Sequence, residues 1–109
     1  MQTNLRKGVL EWCALAVMQS GDVYGRDLAR RLTALGLLAS EGSLYPLLSR
    51  LRESGWVQTR WVESANGPPR RYYRLTADGR DAVAGFERTW RDIAASVDEA
   101  LAATGEDET

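Results

Sequence analysis

Apolar residues recur at helical spacing in four stretches of the chain, and the first two predict a pair of short helices. Residues 5–19 form the first stretch, which Gly21 ends in a Ser-Gly-Asp turn. Residues 24–35 form the second, with Asp22 as the expected N-cap and Gly36 as the expected glycine after the last turn.

The third stretch has a leucine stripe along one side of the helix that it predicts. Four leucines follow the i, i+3, i+4, i+7 spacing, at Leu44, Leu47, Leu48 and Leu51. Ser40 or Ser43 is the expected N-cap, and Gly55 ends the run. We expect the helix to start near Ser43, because Pro46 then lies in the first turn, where its missing N–H has no helical partner to lose.

The other side of this third helix is polar and aromatic. It carries hydroxyl groups, a phenol and guanidinium groups on Ser43, Tyr45, Ser49, Arg50 and Arg52. An apolar back with such a front is typical of a helix that lies in the major groove of DNA. An ordinary amphipathic helix with a solvated face is the alternative.

Two β-strands are predicted after Gly55. Residues 56–62 are rich in aromatic and β-branched side chains, and residues 71–75 provide an antiparallel partner. Residues 63–70 between them contain the turn signal Asn66-Gly67 and end in a basic shoulder, where Arg70 and Arg71 are placed to contact phosphates. Three helices followed by this hairpin predict a winged helix-turn-helix, a mainly α fold with a small β-hairpin.

A long last helix is predicted from Thr76, whose hydroxyl can cap it, to about residue 103. Its apolar residues recur at spacings of three and four, at Val83, Phe86, Trp90, Ile93, Val97 and Leu101. Because the earlier elements already fill one core, we expect this stripe to form a dimer interface; burial against the first helix is the competing interpretation, and both can hold. The predicted organisation is residues 1–76 as a DNA-binding unit, 77–104 as a dimerisation helix and 105–109 as an acidic tail.

Charge is unevenly distributed along the 109 residues, although the net charge is only −1. Residues 49–75 contain six arginines and two acids, whereas residues 76–109 contain three arginines and nine acids. The middle of the chain is therefore basic, as expected of a segment that approaches nucleic acid.

The residue types present argue against catalysis and metal binding. The chain has no histidine and one cysteine, so the commonest general base and a zinc ligand set are both missing. Cys13 lies within an apolar helical run and is predicted to be a core residue; a thiol switch is the alternative. The longest apolar run is too short to span a bilayer, and we expect a cytoplasmic protein that is not an enzyme and has no cofactor.

Four motifs in the order of the chain resemble the PadR family of bacterial transcriptional regulators. They are Leu5-Arg-Lys-Gly8, Tyr24-Gly25 with Leu28, Ser43-Leu-Tyr-Pro-Leu-Leu-Ser-Arg-Leu51, and Gly67-Pro-Pro-Arg-Arg-Tyr-Tyr-Arg-Leu-Thr76 with Gly79. The resemblance covers nearly the whole chain. It implies a homodimer that binds a near-palindromic operator and usually represses. The single last helix is similar to that of the short subgroup, in which this helix dimerises.

The resemblance also implies roles for individual residues. Ser43, Tyr45 and Pro46 would face the major groove with Ser40 beside them, Tyr24 and Arg50 would hold phosphates, and Arg70 and Arg71 would lie on the wing beside the duplex. A core position is the alternative for Tyr24, and a solvated or paired charge is the alternative for Arg50. One of Tyr72 and Tyr73 should be buried, and the pattern does not say which.

Trp90 is the candidate centre of a ligand site. Some members of the short subgroup hold a flat, apolar, drug-like compound between two copies of a tryptophan on the last helix, and Trp90 lies in the matching region. Phe86, Trp12 and Val9 are candidate walls, and aromatic stacking suits a planar cation. Plain interface packing is the alternative for Trp90. The rival function for the whole chain is a winged helix that docks proteins and does not bind DNA.

Overall fold

The computed structural model describes residues 2–106 of the chain, and the side chains of residues 5–103. The elements in chain order are α1 (Gln2–Val17), β1 (Val23–Tyr24), α2 (Gly25–Ala34), α3 (Leu44–Glu53), β2 (Val57–Ser64), β3 (Gly67–Leu75) and α4 (Ala77–Glu106). Single 3₁₀ turns, Met18–Ser20 and Glu41–Ser43, follow α1 and precede α3. This is the predicted winged helix-turn-helix with a long last helix. Among the described residues, no helix combines the length and apolar character needed to cross a bilayer.

The sheet of the described residues has three antiparallel strands in the order β1-β3-β2. The predicted hairpin accounts for two of them, β2 and β3, and β1 was not predicted. Strand β1 lies opposite Tyr72 and Tyr73 of β3. The sequence predicts Tyr24 as the start of the second helix and no strand there, since two residues are too few to display alternation. Strands β2 and β3 pair from Val57 opposite Leu75 to Ser64 opposite Gly67, so the loop at the wing tip has only two residues. The predicted eight-residue connection is therefore mostly strand.

The hydrophobic core lies between the helices and one face of the sheet. All four leucines of the α3 stripe are buried, as predicted. They pack with leucines of α1 and α2 and with buried sheet residues, which include Val57, Tyr73 and Leu75. Tyr73 is the buried tyrosine of the pair, at 5% exposure, and Tyr72 is half-buried.

The glycines predicted to end the helices lie at the helix ends, whereas two of the predicted N-cap side chains form no capping hydrogen bond. Pro46 is the third residue of α3 and lies in its first turn, as predicted. Ser43 occupies the N-cap position of that helix in a helical backbone conformation, and its side chain forms no capping hydrogen bond; its hydroxyl donates to the Ser40 carbonyl oxygen at 2.7 Å. Asp22 does not cap α2 either, because its carboxylate accepts from Arg60 Nε at 2.9 Å. The partner of Ser43 is only three residues away, whereas that of Asp22 is 38 residues away and cannot be read from a local pattern.

Helix α4 is joined to the end of α3 by short backbone contacts. The Thr76 hydroxyl accepts from the Gly79 N–H at 3.0 Å, as the predicted cap, and donates to the Gly55 carbonyl oxygen at 2.6 Å. The Thr76 N–H donates to the Trp56 carbonyl oxygen at 3.0 Å. A Cβ on Gly79 would overlap that same oxygen, so only glycine allows this approach. We call this arrangement the α3–α4 joint.

The helix continues to Glu106, so the predicted tail starts two residues too early, and its residues 107–109 lie outside the described part of the chain.

Candidate functional site

Helix α3 exposes the polar side that its sequence predicts. The leucine stripe anchors the back of the helix in the core, and the front faces solvent through exposed side chains at Ser43, Tyr45, Pro46, Ser49, Arg50 and Arg52. Ser40 is also exposed, in the turn before the helix. Arg50 forms no ion pair with a described residue. The predicted contact residues of α3 therefore lie on one continuous, uncovered surface.

Tyr45 is held in place at the start of α3. Its hydroxyl donates to Glu41 Oε1 at 3.1 Å, and Arg26 Nε lies 3.8 Å from the same oxygen. Its ring approaches Gly25, where an added Cβ would meet Tyr45 Cε1 at 3.6 Å and Tyr73 Cε1 at 3.2 Å. Partial burial and the Glu41 carboxylate raise the pKa of the Tyr45 phenol, so it stays a hydrogen-bond donor at neutral pH. Sequence reasoning missed Glu41, although Tyr45 is only four residues further along; its second partner, Arg26, comes from α2.

Arg70 and Tyr24 lie together on the outer face of the sheet. The Arg70 guanidinium lies 4.9 Å from the centre of the Tyr24 ring, and the Tyr24 and Tyr72 rings are 5.8 Å apart. Tyr24 is half-buried, so it is not the core aromatic that the alternative required. Both residues are available to an anion on this face.

Arg71 lies on the opposite face, because successive residues of a strand alternate. Its guanidinium lies 5.5 Å from the Trp61 ring centre and 5.7 Å from that of Tyr73, and Nη2 donates to Thr59 Oγ1 at 3.4 Å. Its Nε is buried without a hydrogen-bond partner among the described residues. Trp61 is 65% exposed and was not among the predicted site residues. Arg70 and Arg71 therefore lie on the wing, as expected, but on opposite faces of it.

A basic groove of about 720 Å³ runs between α1 and α3. Its polar lining comes from Arg6, Lys7, Glu11, Ser43 and Arg50, and its apolar lining includes Leu37 and Leu47. None of the three cations forms an ion pair with a described residue. The α1 residues of this groove were not predicted as a site, because they are exposed charges at the start of a helix.

An apolar cleft of about 400 Å³ opens where α1 meets the middle of α4. Its walls are Leu5, Arg6, Val9, Cys13, Leu37, Phe86 and Trp90. The structure thus brings Val9, Phe86 and Trp90 together. Trp12 does not line this cleft in the protomer; it stacks on the wall residue Phe86, with ring centres 5.0 Å apart, and lies beside Trp56 at 5.3 Å. Arg6 and Leu37 line both this cleft and the basic groove.

Cys13 is half-buried in the cleft rather than enclosed in the core. Burial raises the pKa of its thiol, which favours the unreactive protonated form. Among the described residues, no group of histidine, cysteine, aspartate or glutamate side chains is arranged to hold a metal ion.

The predicted stripe of α4 divides into a covered part and an exposed part. Val83 is 3% exposed and packs in the core of the protomer, so the prediction that it contacts a partner is corrected. Phe86 is half-buried against Trp12. The remaining four side chains are 45–69% exposed, at Trp90, Ile93, Val97 and Leu101. They form an apolar surface that no described residue covers, which we call the α4 apolar surface.

Comparison with known proteins gives consistent matches. The model of the Transcriptional regulator PadR-like family matches residues 14–85. A transcriptional regulator of Mycobacterium tuberculosis is 34% identical over 76 residues, which are 70% of this chain and 70% of that protein. A PadR-like transcriptional regulator from Bacillus cereus has a similar crystal structure, with a TM-score of 0.82 and 34% identity over 90% of this chain and 96% of that chain. Bacillus subtilis PadR, solved in complex with operator DNA, gives a TM-score of 0.65 and 23% identity over 72% of this chain and 46% of that chain, a likeness of fold alone.

Proposed function

Since the chain belongs to the PadR-like family of transcriptional regulators, we propose that it is a homodimeric repressor that binds a near-palindromic operator. The family consists of regulators rather than enzymes, as the residue composition predicted. The observation that carries the proposal is the exposed front of α3, where hydroxyl, phenol and guanidinium groups stand on a fully buried leucine back. We expect it to act in the cytoplasm, with residues 1–76 as the DNA-binding unit and 77–104 as the dimerisation helix.

In this proposal α3 reads the major groove. The hydroxyl protons of Ser43 and Tyr45 are directed to the Ser40 carbonyl oxygen and to Glu41, so these two oxygens accept hydrogen bonds from base amino groups. Pro46 touches a thymine methyl group, with Ser40 at the approach. The contact between Tyr45 and Glu41 supports this role, because it holds the phenol in one position before DNA arrives. Bacillus subtilis PadR, which has the same fold, has been crystallised on operator DNA.

Phosphate contacts flank the reading helix. Arg50 is exposed and unpaired among the described residues, and Arg70 and Tyr24 lie together on the outer face of the sheet. We assign these three to backbone phosphates, since they carry donors without sequence preference. Arg71 reaches the duplex from the other face of the wing, where Trp61 and Tyr73 fix its guanidinium.

Dimerisation uses the α4 apolar surface. Four large apolar side chains at half to two-thirds exposure are unusual on a monomer, and a second copy in antiparallel register buries them in a two-fold interface. The two α3 helices would then lie about 34–36 Å apart, one turn of B-DNA. A planar aromatic effector in the apolar cleft is a second proposal. It is supported by Phe86 and Trp90, on whose rings a flat ligand can stack, and Leu37, which lines both the cleft and the basic groove, connects occupancy of the cleft to the surroundings of α3.

A gel shift with the DNA upstream of the chain's own gene tests the proposal, with a shuffled duplex of equal length as control. We expect a discrete complex of two protomers per duplex that the shuffled DNA does not compete away. Tyr45→Ala should reduce the preference for the operator, whereas Arg70→Ala should weaken both duplexes alike and lower the slope of log K against log salt by about one.

Absence of any complex at low salt would reject DNA binding. It would leave the protein-docking winged helix as the better interpretation of the fold.

A further inference from the structure

The basic groove gathers three cations that have no ion-pair partner among the described residues, and unpaired arginines also lie on the wing, at Arg70 and Arg71. Arg26, Arg30, Arg60 and Arg91 each lie within ion-pair distance of an acid. Arg6, Lys7 and Arg50 do not, among the residues that the structure describes, and Glu11 is the one acid in the lining. Three cations thus share one groove with a single carboxylate, and the groove has a net positive charge.

The walls of the groove strengthen the potential of these cations. Leu10, Leu37, Leu38 and Leu47 form its apolar lining, and two of them, Leu38 and Leu47, are buried core residues. A cleft lined by one sign of charge with walls of low dielectric constant concentrates the electric field in its opening. An anion that enters the groove is therefore attracted more strongly than by the same side chains on a flat surface.

The position of the groove identifies the anion. Ser43, Leu47 and Arg50 are spaced i, i+4 and i+7, so the groove follows one flank of α3. The sheet lies on the other flank, where Tyr45 approaches Tyr73, and Arg52 shares a surface depression with Val57 and Thr59 of β2. A helix in the major groove has a phosphate backbone on each side of it, because that groove is only about 12 Å wide. The wing accompanies one backbone, and the basic groove is where the other one passes.

We propose that Arg6 and Lys7 of α1, together with Arg50, bind a backbone phosphate of the operator in the basic groove. The inference rests on the proposed function and adds α1 to its DNA-binding elements. The two backbones beside α3 are then held by different parts of the chain, the wing on one side and the start of α1 on the other. The contact carries no sequence information, because phosphates are identical along the duplex.

The test compares two variants that lose the same charge. Arg6→Ala/Lys7→Ala removes the α1 side of the groove, and Arg80→Ala/Arg88→Ala removes two exposed arginines of α4 that do not line it. Fluorescence anisotropy measures binding of a labelled duplex from upstream of the chain's own gene, and of an unrelated duplex of equal length, over a series of salt concentrations. We expect the first variant to lower the salt slope by about one to two and to weaken both duplexes by the same factor, since each phosphate contact contributes about 0.9. The second variant should keep the wild-type slope.

Two further variants separate loss of contact from loss of structure. Arg6→Lys/Lys7→Arg keeps both charges and should keep the slope. Lys7→Ala leaves the wall of the apolar cleft intact and should lower the salt slope by about one. Equal slopes for the Arg6/Lys7 and Arg80/Arg88 alanine variants, with wild-type protein still bound, would overturn the groove and leave the α3 proposal standing. Failure of the wild-type protein to bind either duplex at low salt would overturn both.

Discussion

The two halves of α4 carry the same apolar stripe and have different surroundings. In the first half, Val83 is 3% exposed and Phe86 stacks on Trp12. In the second half, Val97 is 51% and Leu101 is 69% exposed, because the helix has passed the end of the other elements. The molecule is accordingly elongated, with extents of 66, 28 and 21 Å. Periodicity therefore predicts that one face of α4 is apolar. Whether the same chain buries that face depends on how far the other helices and strands extend along α4.

The largest effect is expected from charges placed in the second half. Ile93→Glu/Val97→Glu should leave a folded monomer, because neither side chain belongs to the protomer core. Affinity for the operator should fall about 100-fold or more, since the second half-site no longer binds at high effective concentration. Sedimentation velocity gives the assembly state, and anisotropy gives the affinity.

The matched control is Ala95→Glu/Ala102→Glu, which adds the same charge on the opposite side of the helix, where both alanines are exposed. Equal loss of assembly in both double variants would show that added negative charge, and not the α4 apolar surface, controls the oligomer.

In the first half, the next largest effect is expected at the α3–α4 joint. Gly79→Ala forces a methyl group against the Trp56 carbonyl oxygen and should lower the free energy of unfolding by about 3 kcal/mol. Gly85→Ala, one turn and a half further along the same helix, meets nothing closer than an Arg88 nitrogen at 3.8 Å. It should raise the free energy of unfolding by about 0.5–1 kcal/mol, through helix propensity. Urea unfolding at one protein concentration measures both, and effects of the same sign would contradict the tight contact.

A smaller effect is expected from the aromatic stack that covers the first half. Phe86→Ala removes a half-buried ring from Trp12 and should cost about 2 kcal/mol of unfolding free energy, below the range for a fully buried phenylalanine. Measured in the Ile93→Glu/Val97→Glu background, this value reports on the protomer alone. A cost near zero there would mean that the first half, too, depends on a partner.

The smallest effect concerns the boundary between the halves, where Cys13 faces Phe86 and Trp90 across the apolar cleft. Burial raises the pKa of the Cys13 thiol, so less thiolate is present at pH 8 than for a free cysteine. Alkylation by iodoacetamide should therefore be slower than for a model thiol, with a rate that continues to rise at higher pH. A planar aromatic dye should slow it further and quench Trp90 emission; full reactivity in saturating dye would remove the effector from the cleft.

Local sequence patterns were sufficient for much of the fold. The α3 leucine stripe, Pro46 in the first turn and the Thr76 cap depend on neighbours within a few residues, and all three predictions are confirmed. Strand β1 was missed because its partner lies about 50 residues further along the chain. The Asp22 cap was wrong for a related reason, since Arg60 binds that carboxylate from 38 residues away.

The faces on which the wing arginines lie could have been predicted from the alternation of side chains along a strand. Neighbouring residues of a strand point to opposite faces, so Arg70 and Arg71 lie on different faces of the wing. The same alternation places Trp61 opposite Arg71, where it forms the cation–π contact. The DNA contacts and the dimer interface stay predictions. The first requires a DNA duplex and the second requires another copy of the chain.

The α3–α4 joint makes α4 a lever. Thr76 and Gly79 tie the first turn of α4 to Gly55 and Trp56, which follow the Ser54 C-cap of α3. The 30 residues of α4 extend about 45 Å from this fulcrum. A tilt of about 5° at its base displaces the far end by about 4 Å, the diameter of a methyl group. A small rotation of the first turn thus displaces each later residue of α4 in proportion to its distance from that turn.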